Sequence, residues 1–122
     1  GLAYGCFRPE QSGDDITEMA PVDCTSKHQA EFVGVWNAPE SSYSAMLADT
    51  ERQHRECRRL VARYVKAPDD VNLLFRAGTI IYQPTEATWR DGSRGVQCFL
   101  WTDSRDLTRS VKGTGTRDLP IN

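Results

Sequence analysis

Long apolar runs are missing from this sequence. Its 122 residues contain nothing near the roughly 18 consecutive apolar residues that a membrane-spanning helix needs. An excess of positive charge is also missing: 15 Lys and Arg face 17 Asp and Glu, and the net charge of −2 argues against a dedicated nucleic-acid-binding protein. The chain begins at Gly1 without a Met or a signal-like segment. We therefore expect it to be a piece of a longer protein, with any targeting segment or membrane anchor cut away.

Closely spaced cysteines are missing as well. The four cysteines stand at positions 6, 24, 57 and 98, so no Cys-x-x-Cys step is available for a zinc ribbon or a thioredoxin-type redox motif. Two interpretations remain, namely four buried thiols in a cytosolic protein or two disulfides in an exported one. The even number and wide spacing favour the disulfides, which would also support the modest core that 39% hydrophobic residues allow.

The apolar pattern predicts an α+β fold, in which a small, mostly antiparallel sheet packs on one main helix. A period of 3.6 residues indicates a helix over 44–66, with Ser44 as its N-cap and Pro68 as its stop. Polar composition predicts a loop over 8–21 and a tail over 103–122 that is partly ordered at best. Strands are predicted from alternation and from β-branched or aromatic residues at 1–7, 31–36, 79–83 and 95–102.

The predicted helix has two opposite faces. The inner arc comprises Leu47, His54, Cys57, Val61, Tyr64 and Val65. The outer arc comprises Arg52, Arg55, Glu56, Arg59 and Arg63. Because burying unpaired charges costs several kcal/mol each, we expect the outer arc to face water. Its arginines suit either an anionic polymer or lipid head group, or a solvated face with ion pairs between residues four apart.

His28 and Glu31 are the candidate chemical groups. On a helix their spacing would place both on one face for a metal or for acid–base work, but they precede a strand, where residues three apart point to opposite faces. We therefore expect both to make structural hydrogen bonds in a turn. His54, on the inner arc of the helix, is expected to be partly buried and hydrogen-bonded.

Trp89, Gly92 and Arg94 form a second candidate, just before the strand that carries Cys98. An aromatic ring, a turn glycine and a cation at this spacing suit a recognition surface. They equally suit a turn whose aromatic ring covers the core. With Arg55 and Arg59, Trp89 and Arg94 complete the predicted binding surface.

Several short motifs follow one another in a recognisable order. They are Gly5-Cys6-Phe7, then Val22-Asp-Cys24-x-x-x-His28-x-x-Glu31-Phe-Val-Gly-Val35, then Cys57 in a helix ending Tyr64-Val65, and then Trp89-x-x-Gly92-x-Arg94-x-Val96-x-Cys98-x-Leu100. This order, with the four cysteines in register, resembles the septum-formation family of actinobacterial cell-envelope proteins. The resemblance runs from Gly5 to about Gly115.

The resemblance implies one extracytoplasmic domain over residues 1–115, followed by a polar tail over 116–122. It implies a tether to the plasma membrane by a segment outside this chain, and a link to cell division. Four cysteines allow three pairings, and sequence does not choose among them strictly. We predict Cys6–Cys24, closing a short loop onto the first strand, and Cys57–Cys98, joining the helix to a central strand.

Three functional hypotheses follow. The first is a non-enzymatic binding or scaffold domain without catalytic residue, metal or cofactor, whose partner is an envelope or division protein or a wall component and not nucleic acid. The second is a metal-assisted envelope hydrolase built on His28 and Glu31, with His54 as a third group. The third is a structural module that holds a larger membrane protein together. The hydrolase requires its three residues to converge in an open cleft.

Overall fold

Five antiparallel strands form one sheet in the computed structural model, which describes residues 5–67, 77–103 and 105–115. The strands are β1 Cys6–Ser12, β2 Asp15–Val22, β3 Ala30–Asn37, β4 Gly78–Tyr82 and β5 Gly95–Trp101. Their order across the sheet is β2-β1-β3-β5-β4, and the main helix packs against β3, β4 and β5. The predicted α+β fold with a mostly antiparallel sheet on one main helix is therefore confirmed.

The expected loop over 8–21 is wrong, because this segment is a hairpin of β1 and β2. Most side chains along the hairpin are exposed or half-buried on both sides. Its few apolar side chains, Phe7, Ile16 and Met19, pack on the small core around Phe99, while most of its other residues are polar and exposed, so the apolar alternation that marks a strand is weak. The reversal occurs at Gly13, whose φ of 64° suits glycine.

The expected single helix is divided in two at Asp49. Helix α1 spans Tyr43–Ala48 and α2 spans Thr50–Val65. Ser42, and not Ser44, caps α1 by accepting a bond from the Ala45 amide at 3.2 Å. Asp49 caps α2 by accepting from the Arg52 amide at 3.3 Å. Helix α2 ends at Val65, and the predicted stop at Pro68 lies outside the described residues.

The break changes which side chains of the predicted inner arc are buried. Cys57 and its neighbours in the last turns of α2 are buried as expected, but Leu47 is 37% exposed and His54 faces water. Met46 and Gln53 are buried instead, and the Gln53 amide donates to the Met46 carbonyl at 2.7 Å. The start of α2 therefore packs on α1. Its buried side there differs from the predicted one, because the apolar period did not reveal that the segment forms two helices.

Strand β5 carries large side chains toward both faces of the sheet. Val96, Cys98 and Leu100 belong to the main core beneath α2. Phe99 points to the opposite face, where it meets other aromatic rings edge-on. Gly34 is required by its backbone: its φ is 144°, which other residues rarely adopt, while a Cβ there would only reach ordinary contact with Leu60 at 3.4 Å. The register of the pairing between β3 and β5 shifts beside it.

The segment over 105–115 is part of the core, contrary to the expectation for a polar tail. Leu107 is 4% exposed and Val111 is fully buried. Leu107 exchanges two backbone hydrogen bonds with His28, and the Gly113 amide donates to the Tyr64 carbonyl at 2.8 Å. Few apolar residues suffice here because the segment is held by polar contacts. The predicted tail over 116–122 lies outside the described residues.

One further short helix lies between β4 and β5. Helix α3 spans Glu86–Arg90 and was not predicted. Thr85 caps it by accepting from the Thr88 amide at 3.1 Å. None of the helices in the described residues combines the length and apolar character needed to cross a bilayer.

Both predicted disulfides are present. Cys6 and Cys24 are joined with their Cα atoms 5.2 Å apart, and Cys57 and Cys98 with theirs 5.4 Å apart. No free thiol remains among the four cysteines, all of which lie in the described residues. The alternative of four buried thiols is therefore excluded for this structure.

The two disulfides should contribute unequally to stability. They close loops of 18 and 41 residues, for which chain entropy predicts about 3 and about 4 kcal/mol. We expect Cys57→Ala with Cys98→Ala to lower the free energy of unfolding, measured in urea, by roughly 4 kcal/mol. An unchanged unfolding midpoint in this variant would contradict the prediction, and non-reducing peptide mapping checks the pairing itself.

Candidate functional site

A buried carboxylate, that of Glu31, lies where four parts of the fold meet. Strand β3 carries Glu31 and aligns it with Cys6 of β1. The carboxylate is fully buried, and it accepts bonds from the Tyr64 hydroxyl at 2.6 Å and from the Ser110 hydroxyl at 2.9 Å. The Val111 amide donates to both of its oxygens at 3.2 Å. A buried charge is tolerated only when it is bonded in this way, so the donors and the carboxylate stabilise one another's positions.

His28 completes the shell around Glu31. Its ring Nε2 lies 2.8 Å from Glu31 Oε2, and its Nδ1 lies 2.8 Å from the Ser26 carbonyl oxygen. The Ser26 carbonyl is presented by a turn that begins at Asp23, whose carboxylate accepts from the Thr25 amide and hydroxyl. His28 and Glu31 are therefore not on opposite faces as their spacing predicted. His28 precedes β3, where strand alternation does not yet apply.

Burial alone lowers the pKa of the His28 ring, because it removes the charged form from water. The bonds to Glu31 and to the Ser26 carbonyl outweigh that effect, and the pKa of His28 is raised above its ordinary value. Burial and the neighbouring Glu31 carboxylate also raise the pKa of Tyr64, so its hydroxyl remains a proton donor. The His28 ring and the Tyr64 hydroxyl therefore favour their protonated forms, which donate hydrogen bonds to the Glu31 carboxylate.

The same place contains the one group of metal-ligand types found among the described residues. One ligand atom each of Cys6, His28 and Glu31 lies within 4.8 Å of the others, and all three residues are buried. The Cys6 sulfur is bonded to Cys24 in this state. His54, the third group of the hydrolase hypothesis, is exposed on α2 and is not part of this group. The three residues of that hypothesis therefore do not converge.

A cationic face lies on the outer side of α2. We define it as Arg55, Arg58, Arg59 and Arg63, all exposed. Arg59 pairs with Glu56 at 2.8 Å, whereas the other three make no ion pair with any residue that the structure describes. Arg52, from the predicted outer arc, is turned to Asp49 at 3.0 Å. The expectation that the outer arc faces water is confirmed.

A groove of about 520 Å³ runs along the C-terminal part of this face. It is lined by Arg59, Ala62, Arg63 and Lys66. Its surface is mostly apolar, so it is formed by Ala62 and by the aliphatic stems of the three cationic side chains. Arg58 and Lys66 were not among the predicted binding residues, although they extend the run of basic residues along α2 and its C-cap.

Trp89 and Arg94 lie together, but Trp89 is not on the surface. Trp89 is 7% exposed and belongs to the main core. The Arg94 guanidinium lies 3.7 Å from the centre of the Trp89 ring, and its Nη1 donates to the Trp89 and Ser93 carbonyls. Of the two interpretations, the geometry supports an aromatic ring that covers the core, with Arg94 stacked over it.

Comparison with known proteins gives one match. The family model described as septum formation matches residues 2–98, which is more than half of the chain. No curated protein and no solved structure matches it. The matched range includes all four cysteines, His28 and Glu31 but stops before Ser110 and Val111.

The shell around Glu31 should be a main source of stability. Tyr64→Phe removes one charge-assisted hydrogen bond, and we expect a loss of about 1.5 to 3 kcal/mol in the free energy of unfolding. His28→Ala should also lower the melting temperature. Tyr82→Phe is the matched control, since the hydroxyl of the half-buried Tyr82 makes no hydrogen bond to any residue that the structure describes, and its loss should stay within about 0.5 kcal/mol. Equal losses in the two Tyr→Phe variants would contradict the role of Glu31.

Stability should also depend on pH through His28. Because its pKa is raised in the folded state, its favourable contribution is complete below its ordinary value of 6.5 and is lost as pH rises through the folded value. We expect the wild type to lose more stability than His28→Gln as pH rises above 6.5. Other groups titrate equally in the two proteins and cancel in the difference. Parallel stability curves for the two proteins would refute the assignment.

Proposed function

The chain belongs to the septum formation family, and from this premise we propose that it is a non-enzymatic binding domain that attaches to an anionic component of the cell envelope. The family gives it a role in the envelope that is linked to cell division. Its two disulfides agree with a position outside the reducing cytoplasm. The ligand class, the absence of catalysis and a membrane tether outside this chain are parts of the proposal.

The observation that carries the proposal is the concentration of positive charge on α2. The helix has five arginines and two glutamates in 16 residues, whereas the whole chain has a net charge of −2. The cationic face therefore produces a local positive potential, which attracts anions although the net charge of the protein is negative. Its arginines also present several N–H donors each, which suit phosphate oxygens.

The buried site supports a structural role for His28 and Glu31. Both are fully buried, and hydrogen bonds occupy both ring nitrogens of His28 and both oxygens of Glu31. A hydrolase would need an accessible group with a free position for water or substrate. The metal-assisted hydrolase is therefore the less supported alternative.

Phosphate groups on acidic lipids or on wall polymers share the chemistry that this face recognises. We expect the wild type to co-sediment with vesicles of anionic phospholipid, or with phosphate-bearing wall polymer, at low salt. Zwitterionic vesicles should not bind. Changing Arg55 and Arg59 together to Gln should weaken binding by roughly ten- to thirtyfold, at about 1 kcal/mol per charge. The effect should shrink at high salt, where exposed charges are screened.

Arg90 and Arg109 provide the matched control, because both are exposed, unpaired among the described residues and outside α2. Changing them together to Gln removes the same total charge and should leave binding nearly unchanged. Equal losses in the two double variants would mean that only net charge matters. If the wild type binds neither material at low salt, the proposal is wrong. Preference for polymer over vesicles would identify the wall, and the reverse would identify the membrane.

A further inference from the structure

Beyond this binding role, we infer that reduction of Cys6–Cys24 converts the buried site at Cys6, His28 and Glu31 into a binding site for zinc. The ligand atoms of the three residues already lie within 4.8 Å of one another. Cysteine sulfur, histidine nitrogen and carboxylate oxygen are the ligands that Zn²⁺ takes in proteins. Only the disulfide bond prevents the Cys6 sulfur from acting as the third ligand.

The His28–Glu31 distance is close to that of a coordinated metal, whereas the Cys6 sulfur, within 4.8 Å of both ligand atoms, has to move inward by up to roughly an ångström. Tetrahedral zinc places N, O and S ligand atoms roughly 3.3 to 3.6 Å apart, given the usual bond lengths. His28 Nε2 and Glu31 Oε2 are 2.8 Å apart and share a proton. Replacing that proton by Zn²⁺ requires this gap to widen by about half an ångström. The Ser26 carbonyl already forms a hydrogen bond with Nδ1 of His28. Metal-binding histidines are usually oriented in this way, by a hydrogen bond at the ring nitrogen that does not bind the metal.

The charges also balance in both states. In the oxidised protein a single proton lies between the His28 ring and the Glu31 carboxylate. In the reduced protein Zn²⁺ would meet one thiolate, one carboxylate and a neutral imidazole, which sums to zero. A fully buried site tolerates such neutral sets and rejects others. Binding of Zn²⁺ releases two protons, one from the Cys6 thiol and one from the His28–Glu31 pair.

The exposure of the two sulfur-bearing residues sets the order of the redox step. Cys24 is partly exposed and Cys6 is fully buried. A dithiol reductant attacks the Cys24 sulfur, and Cys6 leaves as the thiolate beside His28. The second thiol of the reductant then releases Cys24 and closes the reductant's own disulfide, so two electrons pass to the protein. The zinc would connect β1 to β3 in the reduced chain, near the place where the disulfide joins β1 to the Cys24 turn.

Cys24→Ala tests the inference without a reductant, since it frees Cys6 and leaves Cys57–Cys98 intact. We expect this variant to bind one Co²⁺ per chain, with a thiolate-to-cobalt charge-transfer band that Zn²⁺ abolishes by displacement. The oxidised wild type should bind none. Adding His28→Ala to the variant should remove the band. Cys98→Ala is the matched control, because it frees the equally buried Cys57 outside the group of three ligands and should show no band.

Two further measurements test the inference if Cys24→Ala fails to fold. Wild type reduced with a phosphine should develop the same band. If either protein is unfolded without metal, Zn²⁺ should restore its circular dichroism, because metal binding then drives folding. No stoichiometric cobalt binding by both proteins would overturn the inference, as would a band that survives His28→Ala. None of these outcomes involves the cationic face of α2, so they are independent of the proposed binding role.

Discussion

The carboxylate of Glu31 connects parts of the chain that no regular secondary structure joins. Its partners Tyr64 and Ser110 are 33 and 79 residues away in sequence. A carboxylate without water requires several donors, and these come from α2, from the segment over 105–115 and from the residues before β3. The C-terminal segment has few apolar groups to hold it in place. Its position beside the sheet therefore depends on this polar contact together with the buried Leu107 and Val111.

The two disulfides reinforce the sheet at complementary places. Cys57–Cys98 lies inside the main core and joins α2 to β5, while Cys6–Cys24 joins β1 to the turn that leads to His28. With a hydrophobic share of 39%, the core alone is small. The two disulfides and the fully hydrogen-bonded cluster around Glu31 add stability that the small core does not supply. The Cys57–Cys98 bond and the Tyr64 contact lie on the inner side of α2, whereas Arg55, Arg58, Arg59 and Arg63 are exposed on its outer side.

The elements predicted well are those whose pattern is local. β3, β4 and β5 have β-branched and aromatic residues with turn residues on each side. The hairpin of β1 and β2 was missed because only a few apolar residues on one of its faces pack on the core, which leaves little of the alternation that marks a strand. The helix break at Asp49 was missed although Asp49 followed by Thr50 is a local signal for an N-cap, because the prediction relied on the apolar period.

The sequence by itself determined the α+β class, the widely spaced cysteines that favour disulfides and the outward arginines of α2. All of these follow from composition, or from a period that covers one element. The sequence allowed three disulfide pairings, and the structure decides for the predicted one. Only the tertiary structure decided that His28 meets Glu31, that Ser110 and Val111 complete the shell, and that Trp89 is buried. These contacts join residues that are distant in sequence, or residues outside regular helices and strands, where no sequence period is expected. A buried polar cluster leaves no repeating pattern, since its geometry exists only when the elements are packed.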